Sequence, residues 1–135
     1  MILHYSEIKI WEWNNFSPDE PNLACPCCGQ FYYDIVSMDC LQTAREIIDK
    51  PIRINSGHRC AIHNARVGGV PLSQHKKIAF DINLLGHDRY EVFEACKKAG
   101  FGSFGFYKTF LHVDIRSNRN WFGKGAKGLW TGLLS

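Results

Sequence analysis

Two stretches of alternating side chains, Ile78-Ala-Phe-Asp-Ile82 and Phe110-Leu-His-Val-Asp-Ile-Arg116, constrain the fold more than any other part of this 135-residue sequence. Successive side chains of a β-strand point to opposite faces. Ile78, Phe80 and Ile82 therefore enter a core while Ala79 and Asp81 face away from it. In the second stretch Leu111, Val113 and Ile115 enter the core, and His112 and Asp114 share the other face. His75 sits in a loop just ahead of the first strand, six residues before Asp81. Two imidazoles and one carboxylate form the ligand set of a catalytic zinc, which takes three protein ligands and keeps a fourth position open. The pattern predicts His75, Asp81 and His112 as the ligands of one Zn2+.

The segments between these strands supply helices. Ser37 is placed to cap a helix running to about residue 49, in which Met38, Leu41, Ala44 or Arg45, and Ile48 recur at helical spacing. Pro51 ends it, because the residue before a proline is pushed away from helical geometry. A strand follows at 52–55, then Ser56-Gly-His-Arg59, then a short helix over 61–67 closed by Gly68-Gly69. Asp88 and Glu91 form a capping pair for a helix with Tyr90, Phe93 and Cys96 on its apolar face and Gly100 as its stop. A strand at 104–107 turns through Lys108-Thr109 onto the His112 strand. The expectation is an α+β fold and a single zinc-binding domain over 1–135. Its small antiparallel sheet carries the metal site, and helices pack on the other face. Residues 7–16 read as an irregular segment over the core, and 120–130 as a glycine-rich flap of aromatics and lysines covering core or lining a groove.

Composition excludes several functions. With 45% apolar and 21% charged residues the chain is that of a soluble globular protein. No apolar run approaches the roughly 18 to 20 residues of a membrane helix, so membrane insertion is not expected. The amino terminus lacks a basic segment followed by an apolar one, from which synthesis and folding in a cytoplasm without a signal peptide are expected. A net charge of +3 with scattered basic residues gives no nucleic-acid footprint, though it leaves room for weak attraction to an acidic polymer. Of the six cysteines, Cys40 and Cys96 fall on apolar helix faces and read as small buried hydrophobes. Cys25-x-x-Cys28 has the spacing of half a zinc site, and Cys60-x-x-His63 offers another half. A second, structural ion at Cys25, Cys28 and Cys60 stands beside two alternatives, reduced thiols in a turn and a disulfide from this loop to Cys60.

From about residue 16 to residue 116 the sequence resembles the D-Ala-D-Ala carboxypeptidase group of zinc peptidases. Their fold is shared by the vancomycin-resistance dipeptidase, murein endopeptidases and the hedgehog signalling domain. The resemblance rests on Ser56-Gly-His-Arg59, Asn64-Ala-Arg-Val-Gly-Gly69, Ser73-Gln-His75, Ala79-Phe-Asp81 and His112-Val-Asp114 taken together. It implies zinc on His75, Asp81 and His112, with Arg59 beside it to hold a substrate oxygen or carboxylate. Asp114 is the carboxylate best placed to act as general base, with orientation of a ligand or of Arg59 as its alternative role. The family pattern also has a glycine that would fall between Lys77 and Ile78. Its absence predicts a tight, strained turn. Phe110 and Thr109 stand where many relatives carry a histidine or an acid. The implied substrate is a stem or cross-link peptide of bacterial peptidoglycan, cleaved by a DD-carboxypeptidase or endopeptidase that acts on the wall after phage-type release or delivery, with phage particle proteins as further partners. The competing reading is a metal-binding module that engages cell wall or a protein partner without catalysis.

Overall fold

The computed structural model describes residues 1–134. In chain order its regular elements are β1 (Ile2–His4), β2 (Gln30–Tyr32), α1 (Ile35–Ile48), β3 (Ile54–Ser56), α2 (Ala61–Arg66), β4 (Phe80–Asn83), α3 (Arg89–Ala99), β5 (Ser103–Phe106), β6 (Phe110–Asp114) and β7 (Arg119–Phe122). Single 3-10 turns lie at Tyr5–Glu7 and Gln74–Lys76, and a kinked one spans Lys127–Leu134. Among the described residues no helix is long and apolar enough to cross a membrane.

The two alternating stretches become β4 and β6, paired antiparallel so that Asp81 lies directly across from His112 and Phe80 from Val113. One face of the pair is apolar. Phe80, Ile82, Leu111 and Val113 are fully buried there, in one cluster with Met38, Leu41 and Ala44 of α1 and Val92 and Cys96 of α3. The opposite face carries Asp81, His112 and Asp114. Helices thus back the sheet, and the polar groups collect on its other side, as an α+β domain requires.

Five strands run in the order β3-β4-β6-β5-β7. All neighbouring pairs are antiparallel except β5 and β7. That exception makes the sheet mixed rather than antiparallel, and it follows from the path of the chain. β6 reverses β5, the turn at Asn118 (φ 56°) reverses β6, and a strand reversed twice that lands on the free edge of β5 must run with it. The tail is therefore partly strand. Beyond β7 it buries Trp130 completely, with the indole N–H donating to the Tyr107 carbonyl at 2.9 Å, so the covering role expected of the flap falls to its last part. β1 and β2 form a separate two-stranded sheet that ties the amino terminus to the cysteine loop.

Helix caps differ in one place from the sequence reading. Asp34, not Ser37, caps α1, its carboxylate accepting the Ser37 N–H at 3.0 Å, so the helix starts three residues earlier. Asp88 and Gly100 (φ 115°) cap α3 as expected. Residues 8–16 form no regular element. Trp13 and Phe16 are nonetheless buried, and Trp13 donates its indole N–H to Asp39 on α1 at 2.8 Å.

Candidate metal centre

Three acceptor atoms from three separate segments converge on the polar face of β4 and β6. His75 Nε2 lies 3.1 Å from Asp81 Oδ1, and His112 Nδ1 lies 3.0 Å from the same oxygen. All three side chains are buried, and their candidate ligand atoms fall within 4.8 Å of one another. The far nitrogen of each ring is already committed. His75 Nδ1–H donates to the Gly57 carbonyl at 2.7 Å, and His112 Nε2–H donates to Asp114 at 2.7 Å. A neutral imidazole with one N–H committed presents a lone pair at its other nitrogen. Two lone pairs then face an anionic oxygen, which repels both. Either both rings become cationic in a buried place, or one divalent cation sits where the three atoms converge. The donor set N, N, O with each ring's far side anchored is that of a catalytic zinc site with its supporting shell, and zinc fits these residues. Burial alone would raise the Asp81 pKa, yet positive charge or donated hydrogen bonds from His112 and His75 outweigh it and hold the carboxyl well below the usual carboxylate range.

The segment Ser56-Gly-His-Arg59 frames this point residue by residue. β3 is irregular between Ile54 and Ser56, and that irregularity brings Ser56 across from Asp81. Gly57 is squeezed against the chain at Leu23, where an added Cβ would come within 2.4 Å of the Leu23 carbonyl oxygen. Only glycine lets the two backbones pass, with Gly57 N–H donating to Asn22 O at 2.8 Å and His58 N–H to Leu23 O at 3.1 Å. Arg59 donates from Nε to Ser56 Oγ and from Nη1 to Asn64 Oδ1, each at 3.0 Å. These anchors aim Nη2 at Asp81 Oδ2, 3.8 Å away, beside the convergence point. Gly69 makes room for the arrangement, since a Cβ there would meet Asn64 Oδ1 at 2.2 Å. The motif Asn64-Ala-Arg-Val-Gly-Gly69 thus acts through Arg59.

The shortened turn between His75 and Asp81 is accommodated without the left-handed backbone that a glycine would supply. No residue from 73 to 81 has positive φ. His75 sits in the 3-10 turn capped by Ser73, and its own carbonyl accepts the Arg59 N–H at 2.6 Å. Lys77 then turns its carbonyl onto His58 Nδ1–H at 2.6 Å, which gives this buried imidazole its place. Burial lowers the His58 pKa, with the Lys77 contact opposing it. The turn is closed instead by Lys77 at φ −102° and ψ −106°, outside both the helical and the extended regions. Inserting Gly between Lys77 and Ile78 is expected to displace the Lys77 carbonyl and loosen His75. Zinc affinity should fall about tenfold or more, as for loss of other supporting contacts. Chelator competition measures it, and a tighter site after insertion would support the strained-turn account instead.

Asp114 lies behind the His112 ring, on its Nε2 side. It is 1% exposed. Its Oδ2 accepts from His112 Nε2–H at 2.7 Å and from Arg116 Nη2 at 2.8 Å, while Oδ1 accepts from the Arg116 backbone N–H and Nε. A carboxylate with both oxygens held behind a ligand orients that ligand. Burial raises its pKa, but Arg116 and His112 together hold it well below the usual range. Held in this way, Asp114 is placed to fix the tautomer and angle of His112, the alternative role. The His112 ring in turn feels burial, which lowers its pKa, and the contacts to Asp114 and Asp81, which prevail and raise it.

One neighbour of the site was not foreseen from the sequence. Trp121 on β7 lies beside His112 with ring centroids 4.9 Å apart, held by its indole N–H to Tyr107 Oη at 2.9 Å. Gly105 lies between them in the sheet, level with His112 on one side and Trp121 on the other. A Cβ at Gly105 would come within 2.6 Å of the indole, so the glycine admits the ring. A strand glycine flanking a histidine strand was the available signal. The cysteine loop lies apart from these residues, with Cys25, Cys28 and Cys60 forming a second group.

The chain matches the family model described as Peptidase M15 over residues 14–115. That span contains Arg59, His75, Asp81, His112 and Asp114, and ends before Trp121. No curated protein matches the chain.

Proposed function

The chain belongs to the peptidase M15 family, a family of zinc peptidases, and from that premise we propose that it hydrolyses a peptide bond in the stem or cross-link peptides of bacterial peptidoglycan. It acts in this reading as a DD-carboxypeptidase or an endopeptidase, and phage-type release or delivery to the wall belongs to the same proposal, resting on the resemblance alone. The observation that carries the enzymatic reading is the convergence of His75 Nε2, His112 Nδ1 and Asp81 Oδ1 with the far nitrogen of each ring already anchored. His75, Asp81 and His112 would hold the zinc, which when bound supplies a Lewis acid for the scissile carbonyl and brings the pKa of water down to roughly 7.

The remaining roles fall to the chain's own groups. Arg59 keeps Nη2 directed to the site by spending Nε on Ser56 and Nη1 on Asn64. Its guanidinium is permanently charged and planar, suited to a substrate carboxylate or to the oxygen that gains charge during the reaction. Asp114 and Gly57 hold the two rings in register, and the Trp121 indole gives the site an apolar wall against which the substrate's aliphatic parts can lie. Purified muropeptides incubated with the zinc-loaded protein and analysed by mass spectrometry test the proposal. Loss of a terminal D-alanine marks a carboxypeptidase, and conversion of cross-linked dimers to monomers marks an endopeptidase. Unchanged muropeptides beside intact zinc content would overturn the peptidoglycan reading.

A further inference from the structure

Four of the six cysteines gather at a place the hydrolytic site does not use. Cys25, Cys27 and Cys28 belong to Cys-Pro-Cys-Cys-Gly, and Cys60 begins α2 some 35 residues from Cys25. The sulfurs of Cys25, Cys28 and Cys60 lie within 4.8 Å of one another. Four sulfurs at the tetrahedral Zn–S distance of about 2.3 Å would stand about 3.8 Å apart, so small side-chain rotations bring the three onto one ion. The Cys27 thiol interacts with that of Cys60 and is a candidate for the fourth position.

The loop around the thiols is shaped in advance. Gly29 takes φ 76°. Its N–H returns to the Cys25 carbonyl at 2.7 Å, and Cys25 N–H donates to Gln30 O at 2.7 Å, folding the Cys-x-x-Cys segment into a closed knuckle. N–H groups also point at sulfur. Cys60 N–H lies 3.4 Å from Cys25 Sγ, His63 N–H lies 3.4 Å from Cys60 Sγ, and Arg66 Nη1 reaches Cys27 Sγ at 3.6 Å. Such N–H groups are the contacts that sulfurs bound to a metal accept. A disulfide would join only two of them and leave donors aimed at a sulfur with little charge to accept.

We propose that Cys25, Cys28 and Cys60, with Cys27 completing the set, bind a structural Zn2+ that is separate from the ion of the hydrolytic site. The ion ties the cysteine loop to the residue that directly follows Arg59, so it fixes the backbone from which the guanidinium is aimed. It closes a long stretch of chain in a small domain, where a metal cross-link does the work a disulfide does elsewhere. This assignment is independent of whether the protein cleaves peptidoglycan.

Cobalt substitution of the reduced, full-length protein tests it, because thiolate coordination adds an intense near-ultraviolet charge-transfer band that nitrogen and oxygen ligands do not give. The wild-type protein is expected to take up two Co2+ and show the band. His112→Ala should keep one Co2+ and the full band. Cys28→Ser should lose the band while keeping the His112-dependent ion. A wild-type protein that binds Co2+ without a thiolate band overturns the proposal. So does a Cys25–Cys60 disulfide found by peptide mapping of protein alkylated at lysis. Since the decisive measurement is made on the wild type, failure of a cysteine variant to fold does not remove the test. A silent peptidase with the band intact would count against the hydrolytic reading alone.

Discussion

His112→Ala is expected to strip Zn2+ from the His75, Asp81, His112 site and to bring hydrolysis down to background. Loss of a group that only orients a ligand costs roughly 10- to 100-fold in metal affinity. Loss of the ligand itself must cost more, because Asp81 is then left with a single imidazole. The variant should still fold. Asp114, though buried, keeps its Arg116 partner through Nη2 at 2.8 Å and Nε at 2.9 Å, so no unpaired charge is stranded behind the site. The neighbouring β6 side chains Leu111 and Val113 stay packed on the opposite face. Circular dichroism should thus show a folded protein, and metal analysis should show the ion of this site gone. Full zinc at this site in a folded His112→Ala protein would show that the three atoms converge for some other reason.

How much of this could be read from the sequence depended on the range over which each signal acts. Alternation is local, so β4 and β6, their buried faces and the Asp81 and His112 side chains on their other face were legible. So were the Asp88 and Gly100 caps, which work through contacts within one helical turn. The parallel pairing of β7 was not. Arg119-Asn-Trp-Phe122 does not alternate, and its place on β5 is set by chain reversals at both ends of β6 rather than by its own residues. β1 and β2 are three-residue strands joined across a long interval, too short to leave a pattern. The role of Asp114 also lay beyond the sequence. Sharing a face with His112 was readable, but which ring nitrogen points to which carboxylate depends on the side-chain rotation, and that rotation puts Nδ1 toward Asp81 and Nε2 toward Asp114. The motifs around Arg59 were visible as motifs, while their physical reasons, the Leu23 backbone against Gly57 and the Asn64 amide against Gly69, join segments far apart in the chain.

Arg59→Lys separates a guanidinium that acts on substrate from one that only braces the site. Arginine has enough donors to hold Ser56 and Asn64 at once and still present Nη2 toward Asp81 and the open side of the metal centre. Lysine keeps the positive charge but has a single nitrogen, which cannot satisfy both anchors and also meet a substrate oxygen in a fixed plane. If Arg59 faces charge that grows in the transition state, turnover should fall about 10²- to 10³-fold, the range for losing one such donor. Zinc content should be unchanged, because Arg59 supplies no ligand atom. The melting temperature should drop modestly, since Asn64 keeps its amide bond to the Val70 carbonyl at 2.9 Å and Ser56 faces only a partly buried gap. The informative measurement is the rate on a defined muropeptide per folded, zinc-loaded molecule. A loss confined to kcat assigns Arg59 to the transition state, and a loss confined to KM assigns it to a substrate carboxylate felt equally in both states. Normal turnover in a variant that merely melts earlier would leave Arg59 with a structural role only, and the charge that develops at the scissile carbonyl would then have to be met by the metal centre alone.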